Sequence, residues 1–261
     1  MGPDAEILPA DRPDSYVLRM SGMDQSYVDL ADPRRLVFEY VRRLGDVVDA
    51  VGPPAAPLRV VHVGGAGLTL PRYVAATRPR SPQVVLEPAT AVTELVRVRL
   101  PLPRRSGIRV RPVDGRAGVA ALRDDSADLV VVDAFADARV PGALVTGAFL
   151  ADVGRVLGSV GVVALNLTDR APFGWTRRVV AGVRSAFPDV LLTAEPATLR
   201  AKRLGNLVVV ASRGDLPVEA LRQRATTAAA PYRVLDTAAV SDSFGGGSPF
   251  IEADAEPSPA P

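Results

Sequence analysis

The chain of 261 residues has no cysteine, one histidine (His62), one lysine (Lys202) and one tryptophan (Trp175). The absence of cysteine excludes disulfides, thiol catalysis and thiolate-ligated metal. A lone histidine cannot build a metal cluster by itself, and no metal site is expected. No G-x-S-x-G elbow accompanies it, so Ser-His-Asp hydrolysis is set aside; His62 reads as a packed strand residue. No G-K-[ST] follows the glycine-rich stretch at 64–67, so a P-loop is excluded. No apolar run approaches the roughly 18 residues needed to cross a bilayer. The N-terminal MGPDAEILPADRPDSY has no basic region followed by an apolar one, so no secretory signal is read there. These absences lead to an expectation of a cytoplasmic protein with no membrane partner. With one lysine, basic charge is carried by arginines scattered along the chain, and the net charge is only +2. No concentrated basic face is legible, so no nucleic-acid partner is expected. Arg200, Lys202 and Arg203 read as a solvated loop.

Hydrophobic content of 48% with 23% charged residues fits an ordinary globular domain. Residues 1–14 and the tail 241–261 are rich in Pro, Gly, Ser, Asp and Ala and are expected to be disordered. Residues 15–52 read as a β-hairpin turning at Ser21-Gly22, then a helix opened by Asp32 and Pro33. Leu36, Val37, Tyr40, Val41, Leu44, Val47 and Val48 would share one face of that helix. Residues 53–240 alternate strands (59–63, 83–87, 108–112, 128–133, 161–167, 190–194, 206–211) with helices (69–78, 89–99, 116–122, 144–157, 174–186). Continuously apolar runs such as LVVV and GVVAL mark strands buried on both faces of a parallel sheet. The expected fold is α/β: a Rossmann-like, mostly parallel seven-stranded sheet with an antiparallel last strand and a small N-terminal β element.

Ligands of such sheets bind beyond the carboxyl ends of the strands. Gly64, Gly65 and Gly67 follow the first strand, Glu87 the second, Asp114 and Gly115 the third, Asp133 and Asp137 the fourth, and Asn166 and Asp169 the fifth. The loop reads G-x-G-x-x-L from Gly65 to Leu70, without the third glycine of a dinucleotide fingerprint. Read alone, it is as well explained as a tight turn. Glu87, about 20 residues after the loop, stands where a carboxylate accepts from both hydroxyls of a ribose. Asp114 reads either as an acceptor for an exocyclic amine or as a helix N-cap. Asn166 and Trp175 read either as substrate contacts or as turn and packing residues. Pro172-Phe173-Gly174 reads as a candidate lid element.

The order GGAG, Glu87, Asp114-Gly115 and VVDAF resembles the S-adenosylmethionine-dependent methyltransferase superfamily, of the class I fold. Within it, three stretches are similar to the spermidine synthase (polyamine aminopropyltransferase) family. SGMDQSYVD resembles that family's N-terminal hairpin, with Gln25 at the matching glutamine. GGAGLTLPRY resembles its GGGDGG loop. VVDAFADARVPGALVTGAFL resembles its D-S-S-D-P segment, with Leu144, Thr146 and Phe149 in register. The resemblance spans about residues 15–212 and implies a transferase of polyamine biosynthesis. Gln25, Glu87 and Asp114 would bind decarboxylated S-adenosylmethionine or methylthioadenosine, and Asp133 would deprotonate the acceptor amine. No permanently bound cofactor is implied, and the N-terminal hairpin is a candidate homodimer contact.

The sequence departs from the family at three places. The loop has no acid between Ala66 and Leu68. The D-S-S-D stretch becomes Asp133-Ala134-Phe135-Ala136-Asp137. The motif of the first helix becomes Phe38-Glu39-Tyr40. Two further readings therefore stay open: a methyltransferase using S-adenosylmethionine on a small molecule, and a non-catalytic nucleoside-binding member.

Overall fold

The computed structural model describes residues 4–200 and 203–261; Lys202, read as part of a solvated loop, lies outside them. A three-stranded antiparallel sheet comes first: β1 (Ala5–Pro9), β2 (Ser15–Met20) and β3 (Met23–Asp29). Then follow α1 (Glu39–Ala50), β4 (Val60–Val63), α2 (Thr69–Thr77), β5 (Gln83–Leu86), α3 (Thr90–Arg99), β6 (Ile108–Arg111), α4 (Gly115–Ala120) and β7 (Ala127–Val132). Next are α5 (Gly147–Val156), β8 (Leu157–Asp169), α6 (Gly174–Ala186), β9 (Asp189–Ala194), α7 (Pro196–Leu199) and β10 (Gly205–Ser212). The last elements are α8 (Val218–Thr227), β11 (Arg233–Leu235) and α9 (Thr237–Phe244).

The second sheet runs β11-β9-β10-β8-β7-β4-β5-β6. Pairs from β8 through β6 are parallel, whereas β10 lies antiparallel between β8 and β9. Strand order reverses at β4, which has β5 on one side and β7 on the other, and that reversal opens a crevice. Side-chain alternation explains the two layers. In β7, Val130 and Val132 pack with α5 and α6 through Phe149, Leu150 and Val179. Leu129 and Val131 point the other way, to Leu44, Val48 and Val74 of α1 and α2. A third cluster joins Ile7, Leu18 and Val28 of the small sheet to Val92, Val96 and Leu100.

Four expectations are corrected. The main sheet has eight strands, because the short β11 adds antiparallel to the edge of β9. Residues 4–14 are ordered: β1 pairs with β2 over five residues, and Ile7 is buried. The tail also packs. Phe250 is fully buried against the Trp175 ring and beneath the Arg178 guanidinium, whose Cζ lies 3.9 Å from the ring centroid. Buried Ser258 accepts from the Val140 amide at 2.9 Å. The composition of the tail hid this, because its backbone carbonyls do much of the work, accepting from Arg139, Arg177 and Arg178. The helix expected from Asp32 begins at Glu39 instead. The Asp29 carboxylate accepts from the Ala31 and Asp32 amides, closing a turn there, and Val37 and Phe38 run on to form a wall of the crevice.

Candidate active site

The crevice is a cavity of about 910 Å³ at the carboxyl ends of β4, β5 and β7, roofed by the turn and first residues of β3. Gln25, Gly64, Gly65, Glu87, Asp114, Gly115, Asp133 and Asp137 all line it. Six discontinuous stretches of chain meet there, as strand-end placement requires.

The glycine loop fits tightly between its neighbours. Gly64 has φ +90°, and a Cβ on it would stand 2.3 Å from the Asp133 carbonyl oxygen. Only glycine permits both. A Cβ on Gly67 would stand 2.7 Å from Ser26 Cβ, so Gly67 is a packing glycine against β3 and does not face the cavity. Every amide from Gly64 to Leu68 already has an acceptor. Gly64 donates to the Leu86 carbonyl (2.9 Å) and Leu68 to the Gly65 carbonyl (2.7 Å). Gly65 and Ala66 donate to Glu87 Oε2 (3.0 and 3.1 Å), and Gly67 to Ser26 Oγ (3.1 Å). A phosphate would need those amides free.

Glu87 also accepts from the Ala89 amide through Oε1, at 2.9 Å. It thus ties the glycine loop to the start of α3, and each carboxylate oxygen keeps further acceptor capacity toward the cavity. Asp114 is the helix N-cap of one of its two readings: Oδ1 accepts from the Arg116 and Ala117 amides at the start of α4, and the residue also lines the cavity.

Asp133 lies deep in the wall. Burial pushes its carboxyl up to about 6, and the hydrogen bond from Asn166 Nδ2 at 2.9 Å partly opposes that. Asn166 in turn accepts from Asn206 Nδ2 at 3.0 Å through its Oδ1. The Asn206 carbonyl accepts from the buried Arg43 guanidinium at 3.1 Å. A row of polar groups across β8 and β10 therefore orients one carboxylate. Asn166 sits behind Asp133 and does not line the cavity. Tyr40 stands in front of it: burial, then the nearby Asp133 charge, push its phenol well above the usual range. No residue among those described bonds the Tyr40 hydroxyl.

Trp175 is elsewhere. Its indole donates to the Glu256 carbonyl at 3.0 Å and anchors the tail. Asp169 accepts from the Thr176 amide and hydroxyl and caps α6. Phe173 is buried against Phe244, so that stretch is packed wall and not a lid. His62 bonds Gln83 Oε1 at 2.9 Å, and burial pulls it down to about 4, so it is neutral at pH 7, as a packed residue would be. Asn206, Tyr40, Phe38 and Val37 were not read as site residues. Asn206 lies at the start of an antiparallel strand whose sheet position is not legible in sequence; Val37 and Tyr40 fall on the apolar face expected of the first helix, and Phe38 belongs to the stretch that departs from the family motif.

Four acids line the cavity: Glu87, Asp114, Asp133 and Asp137. Among the described residues no arginine or lysine does, in a chain that carries 31 of them. Such a lining attracts cations and repels anions.

No family model matches the chain, and no curated protein does. Solved structures match along almost its whole length. A probable spermidine synthase from Corynebacterium glutamicum superposes with a TM-score of 0.89 at 24% identity, over 97% of this chain and 95% of that one. A spermidine synthase in complex with the transition-state analogue AdoDATO gives 0.62 at 16%, over 93% and 82%. Human methyltransferase-like protein 13 in complex with SAH gives 0.56 at 19%, over 84% and 99%. At these identities the likeness is one of architecture: the chain has the fold shared by spermidine synthases and S-adenosylmethionine-type methyltransferases.

Proposed function

We propose that this chain is a spermidine synthase-like transferase that moves an aminopropyl group from decarboxylated S-adenosylmethionine to an amine. The observation that carries this reading is the cavity lining: among the described residues, four carboxylates and no cation. The donor is a sulfonium with a free ammonium and no carboxylate, and the acceptor is an ammonium. Both are cations that such a lining favours. S-adenosylmethionine itself adds a carboxylate, for which no cationic partner lines the cavity among the described residues. The fold shared with a spermidine synthase that holds AdoDATO supports the same class of donor.

In this reading Gln25, Glu87 and Asp114 hold the nucleoside, and Gly64, Gly65 and Gly115 let it approach the backbone. Gly67 acts indirectly, by letting the loop close on Ser26. An acceptor ammonium has no lone pair, so it first gives a proton to Asp133. With its carboxyl at about 6, Asp133 is mostly ionised at pH 7 yet a better base than an ordinary aspartate. The amine nitrogen then attacks the propyl carbon bonded to sulfur. The C–N bond forms as the C–S bond breaks, and methylthioadenosine leaves neutral. Positioning and charge supply the rest, because the sulfonium is already a good leaving group.

One observation favours methyl transfer instead: the loop from Ala66 to Leu68 offers no acid to an aminopropyl ammonium. Calorimetry with methylthioadenosine, S-adenosylmethionine and its decarboxylated form separates the readings. Tighter binding of the decarboxylated donor is expected. Tighter binding of the carboxylated one would move the assignment to a methyltransferase, and binding of none would leave only the fold.

A further inference from the structure

The acids of the cavity are not spread evenly. Glu87 and Asp114 stand at the ends of β5 and β6, where both are engaged by backbone amides of the glycine loop and of α4. Around Asp133 the wall has a different chemistry. Phe38 and Tyr40 stand together, with ring centroids 6.2 Å apart, and line the same cavity as Asp133. Val37, Ala134, Phe135 and Pro141 continue that wall. The other acid nearby in sequence, Asp137, is solvent-exposed at the end of the loop.

A diamine acceptor needs two anionic contacts, one for the reacting nitrogen and one for the distal ammonium. In this wall that contact is single: Asp133 is half-buried, and Asp137 is exposed. A distal ammonium would lie against Phe135, Val37 and Phe38, where its desolvation goes uncompensated, or reach the exposed Asp137, where a charge pair contributes little in water. A primary amine on an apolar body meets neither cost. Its nitrogen has the Asp133 carboxylate, and the Tyr40 hydroxyl, with no bond among the described residues, lines the same cavity. Its body has apolar and aromatic surface to cover.

From this we infer that the acceptor is a primary monoamine with an apolar body of about the size of a phenylalkyl group, and not a linear diamine. The inference rests on the transferase reading for the identity of the donor, but the amine half of the cavity can be tested without it.

The test is a competition between phenethylamine and putrescine, read by calorimetry on the full chain, with and without saturating methylthioadenosine. Phenethylamine is expected to bind about tenfold or more tightly than putrescine, from the buried apolar body and the missing second cation. Phe135→Asp is expected to invert the order by placing a second carboxylate in the apolar wall. Tyr40→Phe keeps the ring and is expected to weaken phenethylamine several-fold. Equal or tighter binding of putrescine to the unmodified protein overturns the inference, as does binding of neither amine. If methylthioadenosine fails to bind, the donor reading falls, while the amine order measured without nucleoside still decides this inference.

Discussion

Replacing Asp133 by Asn tests the electrostatics of the site with no substrate present. The exchange keeps the shape of the side chain and removes its charge. Burial lifts the carboxyl from 3.8 to about 6. A raised carboxyl is a stability statement: the folded state binds the proton more tightly than the unfolded chain does. The contribution is fully present below pH 3.8 and is lost as the pH rises through about 6. Above that, the folded protein holds an ionised carboxylate in a wall that disfavours it, at a cost of about 3 kcal/mol. Asp133→Asn escapes this cost. Its melting temperature, relative to the unmodified protein, is expected to rise by roughly 6–12 °C between about pH 4 and about pH 8. Most of that rise falls between pH 3.8 and about 6. Activity is expected to fall by a factor of about a hundred or more, since the proton acceptor is gone. Differential scanning fluorimetry across that pH range reads the stability. A melting difference that does not change with pH would refute the reasoning, because it would mean that the Asp133 carboxyl titrates as in water.

Three further outcomes follow from named contacts. Asn166→Leu removes the donor that stabilises the Asp133 carboxylate and is expected to move the acid limb of the pH–rate profile up by about one pH unit, since a hydrogen bond to a charged group contributes roughly 1.5–3 kcal/mol. A profile that stays in place would mean that Asn166 does not tune this base. Gly64→Ala sets a Cβ 2.3 Å from the Asp133 carbonyl at a φ of +90° and is expected to lower stability by about 2–4 kcal/mol in denaturant melts. Phe250→Ala empties a fully buried site between Trp175 and Arg178 and is expected to cost about 3–5 kcal/mol. Were the tail loosely attached, that substitution would leave the melt unchanged.

The parts legible in sequence were those fixed by local pattern. Apolar runs such as Leu129–Val132 announced strands covered on both faces, and strand-end placement gathered Gly65, Glu87, Asp114 and Asp133 around one cavity. What stayed hidden depended on long-range partners. Asn206 reaches Asn166 only because β10 inserts antiparallel beside β8. Val37 and Phe38 reach the cavity because Asp29 closes a turn and α1 starts only at Glu39, leaving them extended along the wall, while Tyr40 reaches it from the first turn of the helix. The order of the tail is hidden in sequence because composition counts its polar residues as solvated, whereas its carbonyls satisfy arginines of the main domain and one phenylalanine fills the gap between. The acid missing from the glycine loop and the apolar Ala134-Phe135-Ala136 were both visible in sequence. Their meaning for the acceptor emerged only when the wall around Asp133 was complete.

The central claim is the transfer of an aminopropyl group to an amine. Its most direct test is mass spectrometry of phenethylamine and of putrescine, each incubated with the protein and either donor. The account predicts an amine that has gained an aminopropyl group, with an equal amount of methylthioadenosine, from the decarboxylated donor. An amine that has gained a methyl group from S-adenosylmethionine, or both amines unchanged by both donors, would contradict it.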